Sequence, residues 1–331
     1  MARPIRMALQ IPNFTYPNTP PEALFDRVVG SALAAEAAGF DAVLVMDHFY
    51  QLPMLGPPEN EMLEAYPLLG ALAARTQRVR LGTLVSGNTY RNPAHLAKIV
   101  TTLDVVSKGR AIFGIGAGWF EPEHQGYGFA FPPIGERLSR LEEALRIARA
   151  MFRGERPSLD GRYYQTHEAL NNPRPIQPNG PAILIGGTGE KRTLRLVAQY
   201  ADESNWTCAP DEFPRKLEVL EKHCAAVGRD RGEIGVSWLG SLIVAETMEE
   251  AESLRDAYLR ARGMDWAALP PAMQQRIAAA LVLGDSDTVG EFVATRIKGQ
   301  GLDGIVVNLP ANGYEPDAVE LAARTLASAL R

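Results

Sequence analysis

A few short stretches of this chain carry residue types that could do chemistry. The first is Leu184–Arg192, LIGGTGEKR. An apolar run, Ala182–Ile185, stops at Gly186-Gly187-Thr188-Gly189, and a helical pattern through Leu194, Leu196 and Val197 follows. Glycines let backbone approach an anion, and the first amides of a helix point at it with the helix dipole behind them. No Gly-Lys-Ser/Thr follows, so this is not a P-loop, and GxGxxG is incomplete. Taken alone, the segment reads equally well as an ordinary strand–helix turn. The second stretch is Asp47-His48, directly after the apolar run Asp41–Met46. A histidine there can hydrogen-bond a ring heteroatom or move a proton near neutral pH, or it can be a structural loop residue. The third is Gly116–Gly128, GAGWFEPEHQGYG. Its small residues let a flat ring approach, and Glu123, His124 and Tyr127 lie just beyond. For Glu123 and His124 the plainer reading is a solvated helix start or a structural ion pair.

These stretches need a scaffold, and the hydrophobic periodicity supplies one. Short apolar runs at Ile5–Ile11, Asp41–Met46, Val79–Val85, Ala111–Ile115, Ala182–Ile185, Glu203–Trp206, Ile234–Val244 and Gly304–Leu309 alternate with amphipathic segments. The pattern predicts helices after Thr19-Pro20-Pro21-Glu22, read as a capping box, and over Met62–Thr76, from Asn92-Pro93 to Lys108-Gly109, and over Ile134–Phe152, Lys191–Tyr200, Glu212–Val227, Met248–Arg262, Thr288–Lys298 and Asp317–Leu330. Strict alternation implies a parallel sheet. The fold class is therefore α/β, read as one (β/α)8 TIM barrel over residues 1–331, with a doubly wound sheet as the alternative. Two segments break the rhythm, 155–180 after strand four and its helix and Gly263–Leu283 after strand seven and its helix, and both read as insertions. The second is apolar, helical in part, and expected to wall the substrate site.

Composition narrows the chemistry. The chain has 331 residues, 46% hydrophobic and 22% charged, with a net charge of −5. That composition suits a globular protein and gives no reason to expect nucleic acid or a membrane surface as partner. The two cysteines make neither a disulfide framework nor a metal cluster. No apolar run reaches the ~20 residues of a membrane span, so a cytoplasmic location is expected. In a barrel the site lies at the C-terminal strand ends. Those ends offer Asn13, Asp47, His48, Ser86, Asn88, Trp119, Asn205, Trp206 and Asn308, with no metal triad and no Schiff-base lysine. Such a site suits a cofactor that brings its own chemistry.

With these residues in place the chain resembles the luciferase-like monooxygenase superfamily of flavin and deazaflavin barrels. The resemblance rests on DAVLVMDHF, RLGTLVSGNTYRNPAHLAKIVTTLDVVSKGR, GIGAGWFEPEHQGYG with FPPIGERLSRLEEALRI, and ILIGGTGEKRTLRLVAQYADESNW. The last two look most like the branch that uses the deazaflavin coenzyme F420. The resemblance implies that Asp47 and His48 are the strand-two pair facing the reactive ring, with His48 catalytic. It implies a strand-three bulge at Leu84-Val85, usually with a non-prolyl cis peptide, behind the ring, and a ring edge at Ala117-Gly118. It makes Gly186-Gly187-Thr188-Gly189 the phosphate loop. Asn13, Trp119 and Trp206 are expected to line the substrate pocket. The sugar-phosphate dehydrogenase branch carries a catalytic glutamate directly after the strand-four glycine, where this chain has Trp119. That points away from glucose-6-phosphate and toward a small apolar or aromatic acceptor. The expected activity is hydride transfer between reduced F420 and such a substrate. The alternatives are an FMN-dependent monooxygenase working with a separate reductase, and a non-catalytic flavin-binding homologue. A homodimer is the expected assembly, and a separate F420 or flavin reductase the expected supplier of electrons.

Overall fold

Alternation of side chains along short strands decides the architecture. In the computed structural model, which describes residues 5–331, the chain runs β1 (Met7–Ile11), α1 (Pro21–Ala38), β2 (Ala42–Val45), α2 (Ala65–Arg75), β3 (Arg80–Thr83), β4 (Ser86–Gly87) and α3 (Pro93–Val106). It continues through β5 (Ala111–Gly116), α4 (Glu121–Tyr127), α5 (Ile134–Phe152), the hairpin β6 (Leu159–Asp160) and β7 (Gln165–Thr166), β8 (Ala182–Gly186), α6 (Thr193–Tyr200), β9 (Glu203–Trp206) and α7 (Phe213–Ala226). Then come β10 (Gly235–Ala245), α8 (Met248–Arg260), α9 (Pro271–Ala280), β11 (Leu281–Asp285), α10 (Ser286–Phe292), β12 (Gly304–Asn308) and α11 (Pro316–Ala329). Strands β1, β2, β3, β5, β8, β9, β10 and β12 pair in parallel in that order, and β12 pairs back onto β1. This is the closed (β/α)8 barrel that the periodicity predicts.

Successive residues of each strand face opposite ways. Leu9, Val43, Phe113, Ile183 and Val307 pack outward against the helices, while Ala8, Leu44, Ile112, Leu184 and Val306 fill the interior. Runs buried on both faces read as continuous apolar segments, which is why the strands were legible. The base of the barrel is polar instead. Glu203, 3% exposed, accepts from Arg80 Nη1 at 2.7 Å and from the Ile5 amide at 3.2 Å.

Local expectations need correction in three places. Thr19 does not cap α1, because its hydroxyl donates to the Pro17 carbonyl; Pro20 occupies the N-cap without a side-chain bond, Pro21 opens the helix, and Gly39 closes it at φ 91°. The segment after strand seven is not one insertion following a barrel helix. The last three residues of the predicted insertion, Leu281–Leu283, open a strand, β11, which runs on to Asp285 parallel to the Ser241–Ala245 end of β10. MQQRIAAALVL reads as helical in part, and its last residues gain sheet partners that periodicity cannot see. The helix that returns the chain to β12 is α10, which packs on α11. Its continuation over Val293–Ile297 is a π-helical turn rather than part of one regular helix. The excursion therefore starts at α8 and stands on the C-terminal face, where Arg262 donates to the Leu55 carbonyl in the loop after β2. The hairpin β6–β7 runs along the outside: the amides of Arg162, Tyr163 and Tyr164 donate to Glu143 on α5, each at 3.0 Å. Among the described residues no helix is long and apolar enough to cross a membrane.

Removing one partner of a buried ion pair leaves an uncompensated charge. Glu203→Ala is expected to lower stability by ~3–5 kcal/mol in urea unfolding. The double variant Arg80→Met/Glu203→Leu is expected to recover most of that loss.

Candidate active site

The loop following β2 is held by two ion pairs that diverge. Asp47, 2% exposed, takes a bidentate grip from Arg91, at 2.6 and 3.0 Å, and Arg91 also reaches Glu64. His48 turns elsewhere, and its Nδ1 lies 2.5 Å from Glu123 Oε1. Asp47 therefore does not orient His48, and its carboxylate is committed to Arg91. Of the two plainer readings of Glu123, the solvated helix start fails, because Glu123 and His124 on α4 are fully buried, whereas the ion pair is present, with His48 as partner. The second Glu123 oxygen accepts from the Phe49 amide and the Tyr90 hydroxyl, both at 3.1 Å. Burial, with the Glu123 charge beside it, pushes the Tyr90 phenol far above its ordinary range, so it stays a donor. His124 faces away, with Nδ1 2.8 Å from the Phe120 carbonyl and Nε2 2.7 Å from the Thr89 hydroxyl.

The floor of the mouth is Val85. Leu84-Val85 is a non-prolyl cis peptide between β3 and β4, at the predicted place. The Leu84 carbonyl accepts from Gln10 Nε2 at 3.2 Å, and Gln10 Oε1 accepts from Asn308 Nδ2 at 3.1 Å. A Cβ on Gly116 or on Gly186 would lie 2.9 Å from Val85 Cγ2, so a side chain at either strand end would force Val85 to shift. Gly118 turns the chain at φ +76°, with Thr89 Oγ1 2.9 Å from where its Cβ would be. Beyond β8, Gly187 at φ +113° donates its amide to the Asn205 carbonyl at 3.1 Å. Among the described residues no oxygen accepts the amides of Thr188, Gly189 or Glu190. The turn is pinned from outside, with Glu190 held by Lys216 at 2.9 Å and Arg215 at 3.0 Å.

The rim residues are brought together unevenly. Trp119, 54% exposed, sets an edge against the His48 ring at 5.9 Å. Ala117 and Gly118 lead into it from β5, and Asn13 follows β1. Trp206 is a correction: it is fully buried, donates Nε1 to Ser204 Oγ, and packs on Phe213 between barrel and helices. Strand parity turns it outward, whereas its neighbour Asn205 faces in and donates to Ser237 Oγ at 2.9 Å. The role of Glu123 is not legible in the sequence, since only tertiary contact buries Glu123 and His124 on an otherwise exposed helix. The motif's spacing of carboxylate and histidine was the available signal. Among the described residues no group of His, Cys, Asp and Glu could hold a metal.

The mouth of this parallel (β/α)8 barrel thus brings together the Leu84-Val85 bulge, the His48–Glu123 pair and a glycine turn whose amides have no protein partner. Residues 5–303 match the luciferase-like monooxygenase family, and the chain belongs to it. It is 38% identical over 216 residues to an F420-dependent glucose-6-phosphate dehydrogenase of Kineococcus radiotolerans, an alignment covering 63% of this chain and 61% of that protein. Its fold is like that of a coenzyme F420-dependent tetrahydromethanopterin reductase from Methanopyrus kandleri, with a TM-score of 0.77 at 19% identity over 99% of this chain and all of that one. It is also like the oxygenating constituent of 3,6-diketocamphane monooxygenase from Pseudomonas putida, in complex with FMN, with a TM-score of 0.74 at 19% identity over 98% of each chain.

Overpacking a closed floor costs ~1–3 kcal/mol. Gly186→Ala is expected to lose that much in urea unfolding. A double-mutant cycle with Val85→Ala should return a coupling of ~0.5–3 kcal/mol; simple additivity would show that the two groups do not press on one another.

Proposed function

We propose that this chain is an F420-dependent oxidoreductase that exchanges a hydride with a small, neutral apolar or aromatic substrate. The observation that carries the reading is the cradle at the mouth: Val85 between two glycines, next to the unpartnered amides of Thr188, Gly189 and Glu190. A flat ring fits a floor where Val85 is flanked by glycine on both neighbouring strand ends, and a phosphate fits free amides ahead of a helix. The F420 dependence named for the Kineococcus relative supports the choice of cofactor. When bound, the deazaflavin supplies the hydride. The chain's own residues do the rest. Leu84-Val85 and Ala117-Gly118 would support the ring, Gly186–Gly189 would take the phosphate, and Asp47 would hold the β2 end through Arg91. His48 would exchange a proton at Nε2, and Trp119 with Asn13 would wall the substrate. The excursion from α8 to β11, standing on the same face, would limit access of water.

Two features favour an apolar acceptor over a sugar phosphate. Trp119 occupies the position directly after Gly118, and the carboxylates at the mouth, Asp47 and Glu123, are already paired. The second reading is an FMN-dependent monooxygenase, which the likeness to the FMN-holding P. putida enzyme supports. Titration of the purified chain with F420 and with FMN, followed by absorbance, separates the two. Tight binding of F420 alone is expected, and reaction only with reduced FMN and oxygen would overturn the proposal.

The phosphate assignment is tested at Thr188, because a side chain at Gly187 would be strained at φ +113° whatever it carried. Thr188→Asp sets a negative charge among the free amides and is expected to weaken cofactor binding at least tenfold, about 1.4 kcal/mol. Unchanged affinity in a folded variant would remove the loop from the cofactor site. His48→Ala is expected to leave cofactor affinity nearly unchanged and to slow single-turnover hydride transfer ~10²–10⁴-fold under anaerobic conditions. Equal rates would reduce His48 to a structural residue.

A further inference from the structure

A neutral imidazole has two tautomers, and only one of them leaves Nε2 free to accept a proton. At His48 the choice is made by its neighbours. Nδ1 meets Glu123 Oε1 at 2.5 Å, and a carboxylate can only accept, so the proton of that contact sits on Nδ1. Nε2 takes no protein partner and is not buried, which leaves it open to the mouth. Glu123 itself cannot turn. Its side chain is fully buried, and its other oxygen accepts from Phe49 N–H in the loop after β2 and from Tyr90 O–H in the segment after β4. The helix that carries it is tied in turn by His124, through Phe120 and Thr89. Trp119 and Phe120 bracket the imidazole edge-on, each at 5.9 Å. The other charged groups nearby, Asp47 and Arg91, satisfy each other.

The geometry points to Glu123 as the positioning residue of the site, a role that rests on the reading of His48 as the proton-exchanging group. Glu123 holds His48 with Nδ1 protonated and Nε2 aimed outward, and it balances the imidazolium when Nε2 is also protonated. The step at the mouth is then a proton transfer alone. The proton passes from Nε2 to the substrate atom being protonated, the electrons of that N–H bond remain on the ring, and Nδ1–H stays hydrogen-bonded to Glu123 Oε1.

The decisive variant is Glu123→Gln. Two fixed donors, Phe49 N–H and Tyr90 O–H, claim the amide oxygen. The NH2 group is then turned to Nδ1, which must accept, so the imidazole proton moves to Nε2. Nitrogen-15 NMR of histidine-labelled, cofactor-free protein reads this directly. Nδ1 is expected to be the protonated nitrogen of neutral His48 in the wild type and in Glu123→Asp, and Nε2 in Glu123→Gln. The same tautomer in wild type and a folded Glu123→Gln would overturn the proposal, and so would a mixed tautomer in the wild type. If Glu123→Gln fails to fold, Glu123→Asp decides, since a shorter carboxylate must still select the Nδ1–H form. In single turnovers with F420, Glu123→Gln should lose ~10²-fold or more in rate at unchanged cofactor affinity, with no further loss when combined with His48→Ala. A switched tautomer together with wild-type rates in His48→Ala would leave Glu123 as the positioning group and refute the role of His48 instead.

Discussion

A charge taken out of water has to be matched, and the mouth of this barrel is arranged around that requirement. Asp47 and His48 are adjacent in sequence but find their partners in different directions. Asp47 is gripped by Arg91 at the start of α3, and His48 by Glu123 on α4. The two pairs clamp the end of β2 from both sides. Because Arg91, Tyr90 and Thr89 all follow β4, the same short segment serves both clamps and the His124 anchor.

The floor of the mouth follows a different constraint, one of volume. Val85 projects between β5 and β8, and a Cβ on either side would crowd its methyl group at 2.9 Å. That explains glycine at the ends of both strands without appeal to flexibility. The bulge that presents Val85 is tied to the barrel interior by the chain Asn308, Gln10, Leu84. Polar side chains at the top of the barrel thus support main chain, while the interior below them is apolar and the base is sealed by Arg80 and Glu203.

The excursion after β10 shows how a barrel adds to its active face without disturbing its closure. β10 runs past its barrel neighbours, and β11 pairs with the extra length. α9 buries none of its residues, while Arg262 reaches across to Leu55 beyond β2. The loop after β2, which carries His48, is therefore contacted from a distant part of the chain.

The sequence by itself determined the barrel, since strands buried on both faces and amphipathic helices leave unmistakable periods of two kinds. It also determined the glycine turn at Gly186–Gly189 and the position of His48, because these depend on residue type at a strand end. It placed the bulge at Leu84-Val85 through resemblance alone. Tertiary structure decided what those residues touch. Trp206 and Asn205 are neighbours of similar promise in the sequence, and one residue of register turns the aromatic outward and the amide inward. Glu123 reads in the sequence as a solvated helix start or one half of an ion pair, and burial against the loop after β2 makes it the partner of His48. Leu281–Leu283 closes a segment that reads as partly helical, and pairing with the far end of β10 makes it the start of a strand. In each case the deciding interaction joins residues far apart in the chain. Local pattern carries no information about such contacts until the barrel has closed.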